Sequence, residues 1–566
     1  MRRPPLPRTP LATLLALVGC GDDGGGTAAS DPMITSLTNT PPTSPSEPTG
    51  DPPTTGGTGG TGGTGGTAGT SETGVAETGD GSSEAVKFDV LVETDVGGMP
   101  QPTCKVVDDM DAVGDCVDKA PPDAFEPEPQ WTFMGPPGFE QCIVMPLVAN
   151  LTDDNGDGMI DLCDVPDVVV VAGPGGGDTP PSRLYVLDGE DGSEHFFAAE
   201  LVQFGGTPAL GDIDADGVAE IVAPAADGTL VAFEHDGSLK WKSAAQIAGW
   251  QSSAVGLADV DEDGDVEIYV SNQLFDHLGN QLWAAGVGLT YSATMAANLD
   301  GAPGLEILNG AVAVHADGSP YFDALNDGGW VHPQVANFDA DPQPEVLLAR
   351  NSVIELREHD GALVWSFTPN GQNDINRPIN VHDFDGDGEA EFGASAPAFY
   401  GVYRGDQTPL WEAMVMDPSG QAGGTAFDFI GGGKAQAIYA DEFTVWVFDD
   451  QGAPLMSTPH LSGTIIEYPV VADIDNDGSS EIVVVSNNLL HEGSPIPFTA
   501  QAVRDIEDRW VQGRRIWNQH TYHVTNVRED GTIPQSEKPH WQGLNTFRTQ
   551  AQIAAGGGVC QPPPPG

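Results

Sequence analysis

Between residues 130 and 526, short apolar runs alternate with turns rich in Gly and Asp, and no apolar stripe of helical period is long enough to make a useful helix. The runs recur as a set. An apolar run leads into an Asp-rich loop with Gly; a β-branched run follows, then a strand ending at a turn such as His235-Asp236-Gly237, then a strand bearing a Trp. Clear copies are PALGDIDADGVAEIVAPAADGTLVAFEHDGSLKWK (Pro208 to Lys242) and PVVADIDNDGSSEIVVVS (Pro469 to Ser486). The acidic loops begin at Asp153, Asp212, Asp259, Asn298, Asn337, Asp383, Asp428 and Asp473, at intervals of 39 to 59 residues. Four short strands in about 40–50 residues, bounded by Gly/Asp turns, make the length of one propeller blade. Eight units are too many for a sandwich, so the pattern predicts an all-β propeller.

Phe204-Gly205-Gly206, then Gly211-Asp212-Ile213-Asp214-Ala215-Asp216-Gly217, then Ile221-Val222-Ala223-Pro224 resembles an FG-GAP repeat. The whole series resembles the FG-GAP/VCBS repeat proteins, whose fold is the integrin-alpha-like β-propeller. The resemblance covers residues 130–526 and is carried by recurrence of the motif at blade spacing. It implies a closed ring of seven or eight four-stranded blades, eight by the count of loops. Gln130-Trp131-Thr132-Phe133, ahead of the first loop, is expected to complete the last blade and close the ring.

The loops carry the candidate chemistry. In the loop at Asp212 the acids Asp212, Asp214, Asp216 and Glu220 stand at positions 1, 3, 5 and 9, with Gly217 at 6 and the Val218 carbonyl at 7. Spacing of two puts alternate side chains on one side of a tight loop, and the Gly allows the bend that returns the later acid to the same point. About six hard oxygens then converge, a shell that selects Ca²⁺. An EF-hand closes with an acid at position 12 between helices, whereas here the acid comes at 9 and a β-run follows. The same count is complete in Asp153/Asn155/Asp157/Asp161, Asp259/Asp261/Asp263/Glu267, Asp383/Asp385/Asp387/Glu391 and Asp473/Asp475/Asp477/Glu481. Asn337/Asp339/Asp341/Glu345 keeps its donors but has Pro342 in place of the Gly. Asn298/Asp300/Glu306 is expected to bind weakly or not at all, and the loop at Asp428, with Ile430, Gly432 and Gln436 in acid positions, to have lost its metal. The expectation is five or six structural Ca²⁺ ions.

Trp241, Trp283, Trp365 and Trp411 follow turns by a few residues, which resembles the docking Trp of quinoprotein propellers; packing between blades from the outer strand is the expectation adopted. The stretch Arg509 to Val527 gathers Arg514, Arg515, Trp517, His520, Tyr522 and His523. As a closing strand and its flank, its aromatics would sit in the core and its Arg residues would pair with acidic loops. As a lyase site, His520, Tyr522, His523 and Arg515 would supply a base and a group that neutralises a uronate. Signatures of other nucleophiles, such as GxSxG or HExxH, are absent.

Charge and the N-terminus complete the sequence reading. With 84 acidic residues against 21 Lys and Arg, a net charge of −63, the chain lacks the basic footprint that nucleic acid demands. Arg2, Arg3 and Arg8 precede an apolar core at 11–18 that is too short to span a bilayer. Leu17-Val18-Gly19-Cys20 then resembles a bacterial lipobox, making residues 1–19 a signal peptide and Cys20 the lipidated residue. Residues 20–87, with Gly/Thr/Ser/Pro bias, form a flexible tether. Residues 88–129 are a short Cys-containing segment, 130–526 the propeller, and 527–566 a C-terminal extension. Cys104 and Cys116 read as a disulfide in an exported chain, with Cys142, Cys163 and Cys560 left over. Together these point to a lipid-anchored module of the outer membrane or cell surface of a Gram-negative bacterium. It would bind protein or glycan without catalysis; a polysaccharide lyase is the alternative.

Overall fold

In the computed structural model, the described residues are Cys104, Met110 and 114–565, with breaks at 122, 177–179, 249–252, 287–292, 325–330, 351–352, 370–377, 492 and 555–556. The signal segment, Cys20 and the tether lie outside them. No helix among the described residues is long and apolar enough to cross a membrane.

Eight antiparallel sheets form the eight blades of a β-propeller. Their innermost strands are Leu147–Ala149, Ala209–Gly211, Val255–Ala258, Thr294–Ala297, His332–Ala336, Asn380–His382, Gly424–Phe427 and Val470–Ala472, numbered here as blades 1 to 8. Inner and second strands read as continuous buried runs, such as Glu220–Pro224 and Glu481–Val485, because both faces of each blade are covered by its neighbours. Outermost strands such as Leu239–Gln246 alternate between exposed and half-buried. The ring closes where expected: strand Pro127–Phe133 is the fourth strand of blade 8 and pairs antiparallel with Ala500–Asp505, Phe133 opposite Ala500 and Pro127 opposite Asp505.

Aromatic residues of one blade's outer strand dock on the Gly turn of the next. Trp131 donates from Nε1 to the Gly189 carbonyl at 2.8 Å, Trp241 to His277 at 2.9 Å and Trp283 to Ala316 at 2.8 Å. The Trp residues are therefore interblade wedges. The turn beneath must be Gly: Gly279 has φ +80°, and a Cβ there would meet the Trp241 ring at 2.5 Å. We expect Gly279→Ala to cost about 2–4 kcal/mol, from left-handed backbone strain and overpacking together, read as a lowered urea midpoint; an unchanged midpoint would count against the docking role.

Two expectations are corrected. Cys104 pairs with Cys163 and Cys116 with Cys560, while Cys142 is free and buried. The pairing is set by tertiary approach: the segment around Cys116 lies along the C-terminal tail, with the Cys116 N–H donating to the Gln561 carbonyl and the Gln561 N–H to the Gly114 carbonyl, both at 2.8 Å. Residues 509–527 form no closing strand. Residues 510–552 instead make an irregular plug along the propeller axis, bonded to the inner strand of every blade. Val148 exchanges two hydrogen bonds with Trp517, Leu210 donates to the Asn518 carbonyl, Val381 to Phe547, and Gln550 to Ala426. Side-chain bonds link Leu257 to Gln519, Thr521 to Thr294, His540 to Val335 and Gln550 to Val471.

Candidate metal loops and axial plug

Each acidic loop joins an inner strand to the second strand, and one framework holds most of them. In the blade 2 loop, Asp212 accepts from Asp216 and Gly217 N–H groups at 3.1 and 3.0 Å, while Glu220 Oε2 accepts from Ile213 N–H at 2.9 Å. Asp259 with Glu267, and Asp383 with Glu391, repeat it. The blade 7 loop shows which part of this is structural. There Gln436 Oε1 accepts from Phe429 N–H at 2.9 Å, in the manner of the glutamates, and its amide group donates to the Lys434 carbonyl. One oxygen of the ninth residue thus holds the turn, and a Glu brings a second oxygen that the turn does not require.

That second oxygen is buried without a hydrogen-bond partner in Glu345, Glu391 and Glu481, as is Asp473 Oδ1. Unpaired buried carboxylate oxygens are costly, and a cation bound by oxygens resolves them. Burial pushes the Glu267 and Glu391 carboxyls up to about 8, and those of Glu345 and Glu220 to about 7. Asp473 and Glu481 are raised well above the usual range by burial and then by neighbouring carboxylates. Asp473, Asp475, Asp477 and Glu481 fit a Ca²⁺ ion, as do Asp259, Asp261, Asp263 and Glu267, and Asp383, Asp385, Asp387 and Glu391. In the Asn337 loop the Asn337 amide group donates to the Asp341 carbonyl at 2.7 Å and Glu345 supplies the free oxygen, so Asn337, Asp339, Asp341 and Glu345 remain a candidate set.

Two loops differ from the sequence reading. In blade 2 the Lys240 ammonium lies 2.6 Å from Asp214, 3.1 Å from Glu220 and 3.0 Å from Glu234. A protein cation stands where the loop would place its metal. Lys240→Met is expected to raise the number of Ca²⁺ ions bound by one in equilibrium dialysis; an unchanged count would show that Lys240 does not compete.

In blade 1 the second strand begins at Asp167, whose Oδ2 accepts from Leu151 N–H at 2.8 Å. Asp167, not Asp161, therefore takes the place that Glu220 holds in blade 2. Asp153, Asn155, Asp157 and Asp161 lie in an insertion ahead of it. Asp153 accepts from Gly156, Asp157 and Gly158 N–H groups, and the buried Asp164, twelfth in the run, accepts from the Asn155 and Asp161 N–H groups at 3.2 and 2.8 Å. The missed signal was the acid at position 12, the EF-hand closing position.

The residues considered for lyase chemistry are all in the plug's interior. His520, Tyr522, His523 and Arg515 are at most 2% exposed. Arg515 is bound to Glu529 at 3.1 Å and to the Leu162 carbonyl at 2.8 Å, and Tyr522 lies between Arg514 at 2.9 Å and Gln550 at 2.7 Å. His520 stacks on His332 and meets the edge of Tyr468, and burial drives its pKa well below the usual imidazole value. A cleft of about 270 Å³ opens elsewhere, beside the blade 6 and 7 loops, with His382, Asp383, Asp387, Lys434 and Gln552 in its wall.

Neither a known protein family nor a curated protein sequence matches the chain. Among solved structures the chain is similar to the Vibrio cholerae biofilm matrix protein Bap1, at 19% identity and TM-score 0.65, over 78% of this chain and 100% of that one. It also matches a Bacillus licheniformis rhamnogalacturonan lyase (16% identity, TM-score 0.47, 76% and 82% covered). The exotype rhamnogalacturonan lyase YesX gives 14% and 0.48, with 79% and 83% covered. At 19% identity the likeness to Bap1 is one of fold.

Proposed function

We propose that the protein is an exported, lipid-anchored, calcium-stabilised propeller of the FG-GAP/VCBS type that binds a glycan or protein at the cell surface without catalysis. The observation that carries the choice against a lyase is the burial of His520, Tyr522, His523 and Arg515, whose polar groups serve the plug. A general base has to reach its substrate, directly or through one water. Likeness to a biofilm matrix protein over 78% of the chain is fold-level support for an adhesive role. The lipobox at Cys20 and the tether support display, and two disulfides agree with an oxidising compartment. Ca²⁺ in the loops would fix the turns that wall the cleft beside Asp383 and Asp387, which is the ligand site this reading favours.

A glycan array in calcium, run beside a panel of acidic polysaccharides followed by absorbance of unsaturated uronate, tests the proposal. Retention on the array without absorbance growth is the expected result. Absorbance growth that disappears in His520→Ala would overturn it in favour of the lyase.

A further inference from the structure

The plug holds a second, chemically different cluster. A nitrogen of His523, a carboxylate oxygen of Glu537 and a nitrogen of His540 all lie within 4.8 Å of one another. The His523 and His540 rings are 4.4 Å apart, and His523 Nε2 is 2.5 Å from Glu537 Oε1. Both rings are anchored from behind. His540 Nε2 is 2.8 Å from the Val335 carbonyl of blade 5, and His523 Nδ1 is 3.0 Å from the Thr521 carbonyl. A carbonyl only accepts, so each of those nitrogens carries a proton; in the neutral rings His540 Nδ1 and His523 Nε2 then keep their lone pairs. His540 Nδ1 is fully buried and has no hydrogen-bond partner. His523 Nε2 would direct its lone pair at a carboxylate oxygen. With His523 neutral, two imidazoles and a carboxylate face one another as electron-pair donors, and either a cation among them or a proton on His523 Nε2 resolves the contact.

We infer that His523, Glu537 and His540 form a site for a divalent transition metal, Zn²⁺ by ligand class, separate from the all-oxygen calcium loops. Two imidazoles and one carboxylate are the ligand types of zinc, whereas Ca²⁺ takes oxygen. The backbone carbonyls behind the rings are the outer partners that fix tautomer and orientation in such sites. Thr525 Oγ1, 3.3 Å from Glu537 Oε1, orients the carboxylate. His540 and Thr525, though neither His523 nor Glu537, also line a cavity of about 300 Å³ with Lys538, Gln542 and Leu544, so a space lies beside the cluster on the His540 side. Three protein ligands would leave one position of a tetrahedral zinc shell unfilled by the chain.

The test uses the full mature chain, stripped with chelator and returned to excess Ca²⁺, then titrated with Co²⁺ and Zn²⁺. The expected result is one Co²⁺ bound with the intense visible absorption of a four-coordinate site, displaced by Zn²⁺ and unaffected by further Ca²⁺. His540→Ala should abolish the band. Glu537→Gln, nearly the same size and so gentler on folding, should weaken Zn²⁺ binding at least tenfold while leaving the calcium count unchanged. Failure to bind Co²⁺, displacement of Co²⁺ by Ca²⁺, or full-strength Zn²⁺ binding by Glu537→Gln would each overturn the site; in the first case a proton shared between His523 and Glu537 takes the cation's place.

Discussion

Adding EDTA is expected to lower the melting temperature by about 14 °C, and Ca²⁺ to restore it. Five loops, each with ligand at roughly a hundredfold excess over Kd, would contribute about 13 kcal/mol, and a folded body of about 450 residues has an unfolding entropy near 0.95 kcal/mol/K. The pH dependence gives a second reading of the same sites. Glu267, Glu345 and Glu391 titrate at about 7 to 8 when folded without metal, above an ordinary value of 4.5, because burial favours the neutral acid. Protonation of these groups stabilises the metal-free fold fully below pH 4.5, and that stabilisation is lost as pH rises through 7 to 8. In EDTA the melting temperature should therefore fall between pH 6 and 8.5. With Ca²⁺ the carboxylates are wanted ionised, so the gap between the two conditions widens over the same interval. Scanning calorimetry at the two pH values decides the matter: equal gaps, or no shift in EDTA at all, would refute carboxylate-bound calcium as the stabiliser.

Removing residues up to 134 should abolish cooperative unfolding, since it strips blade 8 of its fourth strand and leaves Ala500–Asp505 as an open edge. The deletion also takes away Cys104 and Cys116. A Cys104→Ser/Cys116→Ser variant with the strand intact separates the two effects and should retain a cooperative, lowered transition. Within the strand, Trp131→Ala should cost about 3–5 kcal/mol by the cavity it leaves, because Trp131 is 6% exposed and wedged on the Gly192 turn of blade 1. A deletion variant that melts at the unmodified temperature would show that the ring does not depend on this closure.

Blade number, the closing strand and the Trp wedges were legible in the sequence because each is periodic or adjacent to a periodic element. Blade 1 misled because the insertion before Asp167 carries its own acids at alternate positions, imitating the loop it displaces. Lys240 left no signal: it reaches Glu220 from the outer strand across two hairpins, a contact that only strand pairing reveals. The plug is aperiodic, and its partners lie far away in sequence, His540 with Val335 and Asn545 with Asn337, so the sequence places its aromatics inside but reads as a closing strand rather than an axial plug. The cysteines follow the same rule, since neither bridge joins neighbours in the chain.

The bridge from Cys116 to Cys560, 444 residues apart, makes almost the entire propeller one covalent loop. A protease that nicks one exposed acidic turn would leave a single molecule of unchanged mass apart from the water added, with both new ends still held in neighbouring strands. On a gel such a nicked protein should run as one band without reductant and as two fragments with it. Damage to one blade then need not release the rest.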